Sequence, residues 1–295
     1  MIADIHPHVI STDPGRHPLA PLGGVQSTWS RERPASFEKL ISEMDRAGID
    51  KAAIVQASTA YGHDNSYVAE AIAAHPRRFT GVFSVDVLAA DAVDRMRNWL
   101  SRGFGGMRLF TTGSTMPGQA TWFDDPHTFP AWRFAGEAGI PVCMQMTSDG
   151  FVALRALMGR FPDVRIILDH CARPHLIDGP PFAADAGLFG FADNSNIFLK
   201  VTPLNFAPAN WGKATPQTFL GKLLAAFGAA RLAFGSNFPA TEGTLKEILA
   251  KARDAFSFAS DEDKGWIFGG TAQRLYPMLA AAGRDAGDRA PRRHA

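Results

Sequence analysis

Eight short, almost uninterrupted apolar runs recur along this chain, and stretches with helical spacing lie between most of them. The runs fall at residues 2–5, 51–56, 79–85, 106–110, 141–146, 165–169, 197–201 and 232–235. A strand with one wet face alternates apolar and polar residues, whereas a strand covered on both faces is apolar throughout. Helices between such strands are the crossovers that a parallel sheet requires. The helical spacing is clear at Phe37, Leu40, Ile41 and Met44, closed by Gly48, and at Val93, Met96, Trp99 and Leu100, closed by Gly103. Ser260 and Asp263 have capping-box spacing for the last helix. The pattern predicts an α/β fold, a (β/α)8 TIM barrel forming one domain over residues 1–281. A polar, Gly/Ala/Arg-rich flexible tail is expected over 282–295. An open doubly wound sheet has the same rhythm, but no glycine-rich turn follows the first strand.

With 46% of its 295 residues hydrophobic, the chain can bury one large core. The formal net charge is +1 and no block of like charge runs through the body, which argues against a nucleic-acid partner. No apolar run reaches the length of a membrane span, and the N-terminus lacks a basic region followed by an apolar stretch. A cytoplasmic protein with a small-molecule substrate and no membrane partner is expected. The oligomeric state is not legible. Cys143 and Cys171 sit inside apolar runs and read as buried free thiols.

In a barrel, chemistry collects where strands end and loops begin. The first run ends in His6-Pro-His8, and the second leads to Gln56, Ser58 and Tyr61. The fourth carries Arg108 and the fifth Gln145. The sixth ends in Asp169-His170 with Arg173 just after, the seventh carries Lys200, and the eighth ends in Ser236-Asn237. Alternation along a strand would set His6 and His8 on one face, and Asp169 and His170 on opposite faces. Trp29, Trp122 and Trp211 lie in long loops that could roof a pocket for a flat ring.

The strings ADIHPHVI, GMRLF, ILDHCARP, FGSNFP and IFGGTAQRLYP, in that order, resemble the amidohydrolase superfamily in its amidohydrolase-2 branch. The corresponding family forms are D-x-H-x-H, G-[VM]-R, D-H-x-G-x-P, G-[ST]-D-[WF]-P and N-x-x-R-[LF]-Y, and the match runs from Asp4 to about Pro277. Among that branch the chain is most similar to lactone hydrolases such as the 2-pyrone-4,6-dicarboxylate lactonases. The resemblance implies hydrolysis of a lactone of a small carboxylated or polyol compound, with His6, His8, His170 and the position of Asn237 as catalytic residues. Arg108 and Arg173 resemble arginines that grip a substrate carboxylate through a bidentate fork. Gln145, Ser58 and Tyr61 complete the expected substrate-binding set. A further arginine expected after the seventh strand is missing, VTPLNF standing there, so a mono-anionic or neutral lactone fits better than a dicarboxylate.

Two departures shape the mechanism that the resemblance implies. Metal-holding members add a strand-five histidine and a strand-eight aspartate to the first histidine pair, whereas this chain has Gln145 and Asn237. An amide is a poor ligand for a transition metal. His6, His8 and His170 are the three donors that could still hold a divalent ion such as zinc. Metal-free members of the branch also lack the strand-five histidine, so a metal-independent hydrolase with no cofactor is expected. Asn237 stands where the family's general base resides, and an amide cannot take a proton. It is open whether Asn237 is an engineered change, a natural one with a histidine as base, or the mark of lost hydrolysis. His170, with an ordinary value near neutrality, is then the expected base. His6 and His8 are expected to polarise the carbonyl as hydrogen-bond donors. The alternatives are a decarboxylase or other lyase of the same branch, a catalytically impaired Asp-to-Asn variant, or a binding protein on the same barrel.

Overall fold

The computed structural model describes residues 1–207 and 212–280. The tail expected over 282–295 and Trp211 lie outside the described residues. The eight apolar runs form eight strands: β1 (Ala3–Asp4), β2 (Lys51–Val55), β3 (Phe79–Phe83), β4 (Phe104–Phe110), β5 (Val142–Gln145), β6 (Ile166–Leu168), β7 (Ile197–Val201) and β8 (Leu232–Phe234). Each pairs in parallel with the next in chain order. The seam between first and last strand is drawn together by the Ile5 N–H, which donates to the Phe234 carbonyl at 3.1 Å. The buried Asp4 carboxylate reinforces it by accepting the Ser236 N–H at 2.9 Å and the His6 N–H at 3.0 Å. The result is a (β/α)8 barrel. Among the described residues no helix is long and apolar enough to cross a membrane.

The helices follow the spacing in the sequence. Phe37–Ala47 is capped by Ser36, whose side chain accepts the Lys39 N–H, and it ends at Gly48 with φ 73°, a left-handed position suited to glycine. Leu245–Ala255 begins with a reciprocal Thr244–Glu247 capping box. Ser260 accepts the Asp263 N–H at 3.1 Å, as its spacing predicts. Three short helices break the loops at the site end of the barrel: Thr28–Glu32, Ser58–Tyr61 and Pro203–Phe206.

Inside the barrel, the period-two alternation of strands sorts side chains into layers. A lower layer is apolar, with Ala3, Ala53, Cys143, Ile167, Phe198 and Ala233 in one buried cluster. Its floor is Ala272, Leu275, Tyr276 and Leu279, with the Tyr276 hydroxyl 3.5 Å from Cys143 Sγ. Cys143 and Cys171 are both buried and free. Two residues further along the same faces, Cys143 gives way to Gln145 and Phe198 to Lys200. The layer above the apolar one is therefore polar.

The strand at Asp169-His170 departs from expectation. β6 stops at Leu168, and four successive residues from His170 to Arg173 hold φ between 53° and 58°. Left-handed backbone costs L-residues roughly 1–2 kcal/mol each. Here the turn is anchored: the Asn205 side-chain amide donates to the His170 carbonyl at 2.9 Å, and Cys171 is buried beneath it. Strand alternation no longer applies, so Asp169 and His170 both serve the site instead of facing opposite sides.

One glycine is fixed by close approach. A Cβ on Gly235 would lie 2.7 Å from the His6 Cβ, with the Lys200 side chain at 3.2 Å. Gly235→Ala should therefore displace His6 and lower stability by about 1–3 kcal/mol, the usual cost of overpacking. Thermal and urea unfolding measure this, and an unchanged midpoint would show that His6 yields freely.

Candidate active site

The polar layer is centred on Asp169. Its Oδ2 accepts the Arg108 Nε–H at 2.8 Å, and its Oδ1 lies 2.7 Å from Lys200 Nζ and 3.8 Å from His6 Nδ1. Arg108 also donates to Gln145 Oε1 at 2.6 Å. Asp169 and Lys200 are fully buried and Arg108 nearly so. Burial alone would raise the Asp169 carboxyl, but Lys200 and Arg108 together overcome it and hold the group well below the usual carboxylate range. Two cations facing one anion leave a net positive charge at the end of the barrel. Arg108 was expected to meet substrate; it lines the cavity above and also closes a buried ion network.

Three histidines gather over this layer. The His6 ring lies 4.9 Å from that of His8 and 4.8 Å from that of His170, both edge-on. Burial pushes all three down. His8 and His170 each fall from 6.5 to about 3, and His6 falls well below its ordinary value. Arg108 deepens the shift at all three, whereas Asp169 opposes it at His8 and His170. This corrects the expectation that His170 titrates near neutrality: it is a neutral imidazole throughout the physiological range.

The hydrogen bonds around the rings assign different tasks. His8 Nδ1 is 2.8 Å from the Val55 carbonyl. A carbonyl only accepts, so Nδ1 carries the proton and the neutral ring offers a lone pair at Nε2. That reverses the carbonyl-polarising role expected of His8. Trp29 stacks on the same ring, with centroids 5.3 Å apart. His170 Nδ1 is 2.7 Å from the Thr202 hydroxyl, which can donate or accept, so either tautomer fits there. His6 is fully buried behind these two, and among the described residues neither of its ring nitrogens has a hydrogen-bond partner. It does not line the cavity.

The cavity itself measures about 220 Å³. His8, His170, Arg108, Arg173, Gln145 and Asn237 line it, with Ser58 and Thr59 on one side and Trp29, Phe110 and Leu204 as apolar walls. Arg173 reaches it from the left-handed turn after β6. Asn237 is also left-handed, at φ 55°, a conformation that Asn tolerates better than most residues, and its side-chain amide donates to Thr241 Oγ1 at 3.0 Å. The Ser58 hydroxyl donates to Gln56 Oε1 at 2.9 Å and has no histidine partner, so it is not an activated nucleophile. Tyr61 is placed elsewhere. The helical turn Ser58–Tyr61 carries it past the cavity edge, where its hydroxyl accepts the Ser11 N–H at 2.8 Å.

Some functional neighbours were not singled out from sequence. Lys200 was seen only as the polar residue of its strand, although a lone charge two positions beyond an inward Phe198 signals a buried partner. Thr202, directly after β7, had no such signal, and the seam carboxylate Asp4 was legible only as the first residue of the D-x-H-x-H form.

A divalent ion is a poor match for these residues. Among the described residues no group of three or more His, Cys, Asp or Glu side chains is placed to hold one. Asp169, the carboxylate nearest His6, is occupied by Lys200 and Arg108, and the Lys200 ammonium beside it would repel a second cation.

Two outcomes follow from the charge arrangement. Asp169→Asn leaves Lys200 and Arg108 buried without their counter-ion and should cost about 3–5 kcal/mol in urea unfolding; a loss under 1 kcal/mol would deny the network its structural role. The depressed imidazoles give the second. Between pH 6.5 and about 3 the unfolded chain protonates His8 and His170 and the native protein does not. Their contribution to stability is thus full above pH 6.5 and is lost progressively as pH falls through that window. Asp4, raised by burial, works the other way at the acid end. Urea unfolding at pH 5 and 7.5 should show lower stability at pH 5, and the His170→Asn variant should narrow the difference.

The comparisons with known proteins bear on the fold and the family. L-fucono-1,5-lactonase of Burkholderia ambifaria is 26% identical over 175 residues, which is 55% of this chain and 58% of that one. The matched region thus spans little more than half of that relative. A solved structure of a probable 2-pyrone-4,6-dicarboxylic acid hydrolase from Acinetobacter baumannii, with citric acid bound, superposes with a TM-score of 0.73 at 19% identity, covering 94% of this chain and 99% of the other. 2,6-Dihydroxybenzoate decarboxylase from Rhizobium superposes with a TM-score of 0.68 at 16% identity, covering 94% and 98%. At such identities these likenesses establish the shared barrel. The family model described as amidohydrolase matches residues 3–278, nearly the whole chain, and the protein belongs to that family.

Proposed function

We propose that the protein is a metal-independent hydrolase that opens a lactone of a small carboxylated or polyol compound. The observation that carries the reading is the fixed tautomer of His8: a neutral imidazole with its lone pair at Nε2, on a cavity whose opposite character is the cationic pair Arg108 and Arg173. A base beside fixed positive charge is what water attack on an ester carbonyl needs, since the attack releases a proton and creates an oxyanion. The name of the Burkholderia relative, a lactonase, supports the same reaction class.

In the proposed sequence, His8 Nε2 takes one proton from water as the water oxygen bonds to the lactone carbonyl carbon. The negative charge that forms on the carbonyl oxygen is held by Arg108, with Arg173 available to a substrate carboxylate. Collapse of the tetrahedral intermediate breaks the ring C–O bond, and the His8 imidazolium returns its proton to the departing oxygen. The products are a hydroxyl and a carboxylic acid on one chain, and the acid releases its remaining proton to solvent to become a carboxylate. His8 is a weak base in the empty site because it is buried and Arg108 lies nearby. An anion placed against Arg108 cancels part of that penalty, so basicity rises as the oxyanion forms. Asn237 can orient substrate but not accept its proton.

Three measurements test this reading. Against a panel of sugar and carboxylated lactones followed in a pH-stat, His8→Gln should lower kcat/KM by about 10²-fold or more. Wild-type kcat/KM should be flat from pH 5 to 8, because the base stays unprotonated down to about pH 3; a decline beginning near pH 6.5 would assign the proton to another group. Asn237→Asp adds a carboxylate base and should raise the rate by about tenfold or more, less than the roughly 10²-fold minimum of a full general-base effect because His8 already serves as base. The reading fails if neither form opens any lactone, and carbon dioxide released from aromatic acids would replace it with a lyase.

A further inference from the structure

A second cavity of about 220 Å³ adjoins the first, and Arg108 and Phe110 line both. Its character is different. Leu22, Val85, Val87, Leu109, Met116 and Trp122 make most of its wall, and His63, Ser84 and Asp86 supply a polar edge. We propose that this chamber is a specificity subsite, and that the substrate is a lactone whose ring carries an aryl or extended alkyl substituent lodged there. The proposal rests on the lactone reading for the reaction, and on the geometry alone for the subsite.

Three features support it. The first is size. Small-molecule sites commonly run from about 300 to 1,000 Å³, so each chamber alone falls short and the pair together enters the range.

The second is construction. The segments that enclose the chamber are tied to the active site. The Leu22 N–H donates to the Ser58 carbonyl at 2.9 Å, and Gly113 and Met116 exchange two backbone hydrogen bonds at 3.0 and 3.2 Å. The two segments also touch: a Cβ on Gly23 would sit 2.1 Å from the Thr115 carbonyl oxygen, so only glycine fits. The His63 ring is fixed by a 2.9 Å contact with the Ser84 hydroxyl. These walls are held in place and not left by loose packing.

The third is the partition. The Arg108 guanidinium lies 5.2 Å from the centre of the Phe110 ring. A Cβ on Gly113 would lie 2.3 Å from the tip of the same ring, so the ring is clamped between a cation and a backbone. A substrate anchored by its carbonyl or carboxylate at Arg108 thus has an aromatic edge and an apolar chamber directly beside its anchor. Polyol substituents would meet Val85, Val87 and Met116 without hydrogen-bond partners, which disfavours them there.

The test uses two arms on the full-length protein. In the first, 4-phenylbutyrate and acetate are titrated as non-reacting probes and followed by thermal shift and calorimetry. The wild type should bind 4-phenylbutyrate at least tenfold more tightly than acetate. Leu88→Trp, at the exposed mouth of the chamber, should reduce that preference at least fivefold; Met116→Trp fills it from another side should the first variant fold poorly. In the second arm, kcat/KM is compared for γ-lactones bearing a methyl or a phenylethyl group, and the phenylethyl preference should fall in the same variants. If no lactone opens but the probe preference is present and sensitive to these variants, the hydrolase reading falls and the subsite stands. If lactones open with no substituent preference, or with one that neither variant changes, the subsite is overturned and the hydrolase reading stands.

Discussion

The ion pair network of Asp169 with Lys200 and Arg108 is the constraint on which the site end of this barrel depends. It draws together side chains from β4 and β7 and the turn after β6 at a depth where water cannot help. Burying two cations is tolerable only because one carboxylate faces both, and that carboxylate must stay ionised. It explains why β6 ends early. A strand continued through Asp169 would turn either that residue or His170 away from the barrel mouth, whereas the left-handed turn presents both. The strain of the turn is thus coupled to the charge balance beneath it.

The same network sets the chemistry above. Burial, deepened by the Arg108 and Lys200 charges, keeps His6, His8 and His170 neutral. Neutral imidazoles near a guanidinium form a site that favours an anion without holding one permanently. In the proposed reaction, an anion at Arg108, whether a substrate carboxylate or a developing oxyanion, partly lifts the suppression of His8. The basicity that looks inadequate in the free protein is therefore available when charge develops. His6, with no hydrogen bond to either ring nitrogen among the described residues, fills the space between the other two rings and Asp169 and spaces them.

Much of the fold was legible because buried parallel strands leave a simple trace. The run at 197–201 and the helices Phe37–Ala47 and Ala92–Ser101 lie where apolar spacing places them. The order of strand ends likewise named most of the polar side chains that line the cavity. What escaped detection depended on three-dimensional environment. Sequence cannot show that His170 sits in left-handed backbone, or that a carbonyl from Val55 fixes which nitrogen of His8 is protonated. Tyr61 was legible as polar and near a strand end, but a single helical turn carried it out of the site. Lys200 stood in plain view, and only the register of β7 against Asp169 gives it meaning.

Asn237 can be placed in this balance. A carboxylate there would add a negative charge beside Arg108, Arg173 and the imidazoles. It would raise the basicity of His8 and His170 and supply a base of its own. With an amide, the left-handed backbone is kept, since Asn and Asp both tolerate it, and the hydrogen bond to Thr241 holds the side chain. What changes is charge: the cavity stays cationic when empty. A cationic cavity recruits an anionic substrate more strongly and leaves proton transfer to an imidazole whose basicity depends on that substrate. On the proposed reading, the exchange of carboxylate for amide therefore replaces a base that is always present with one that the bound anion switches on.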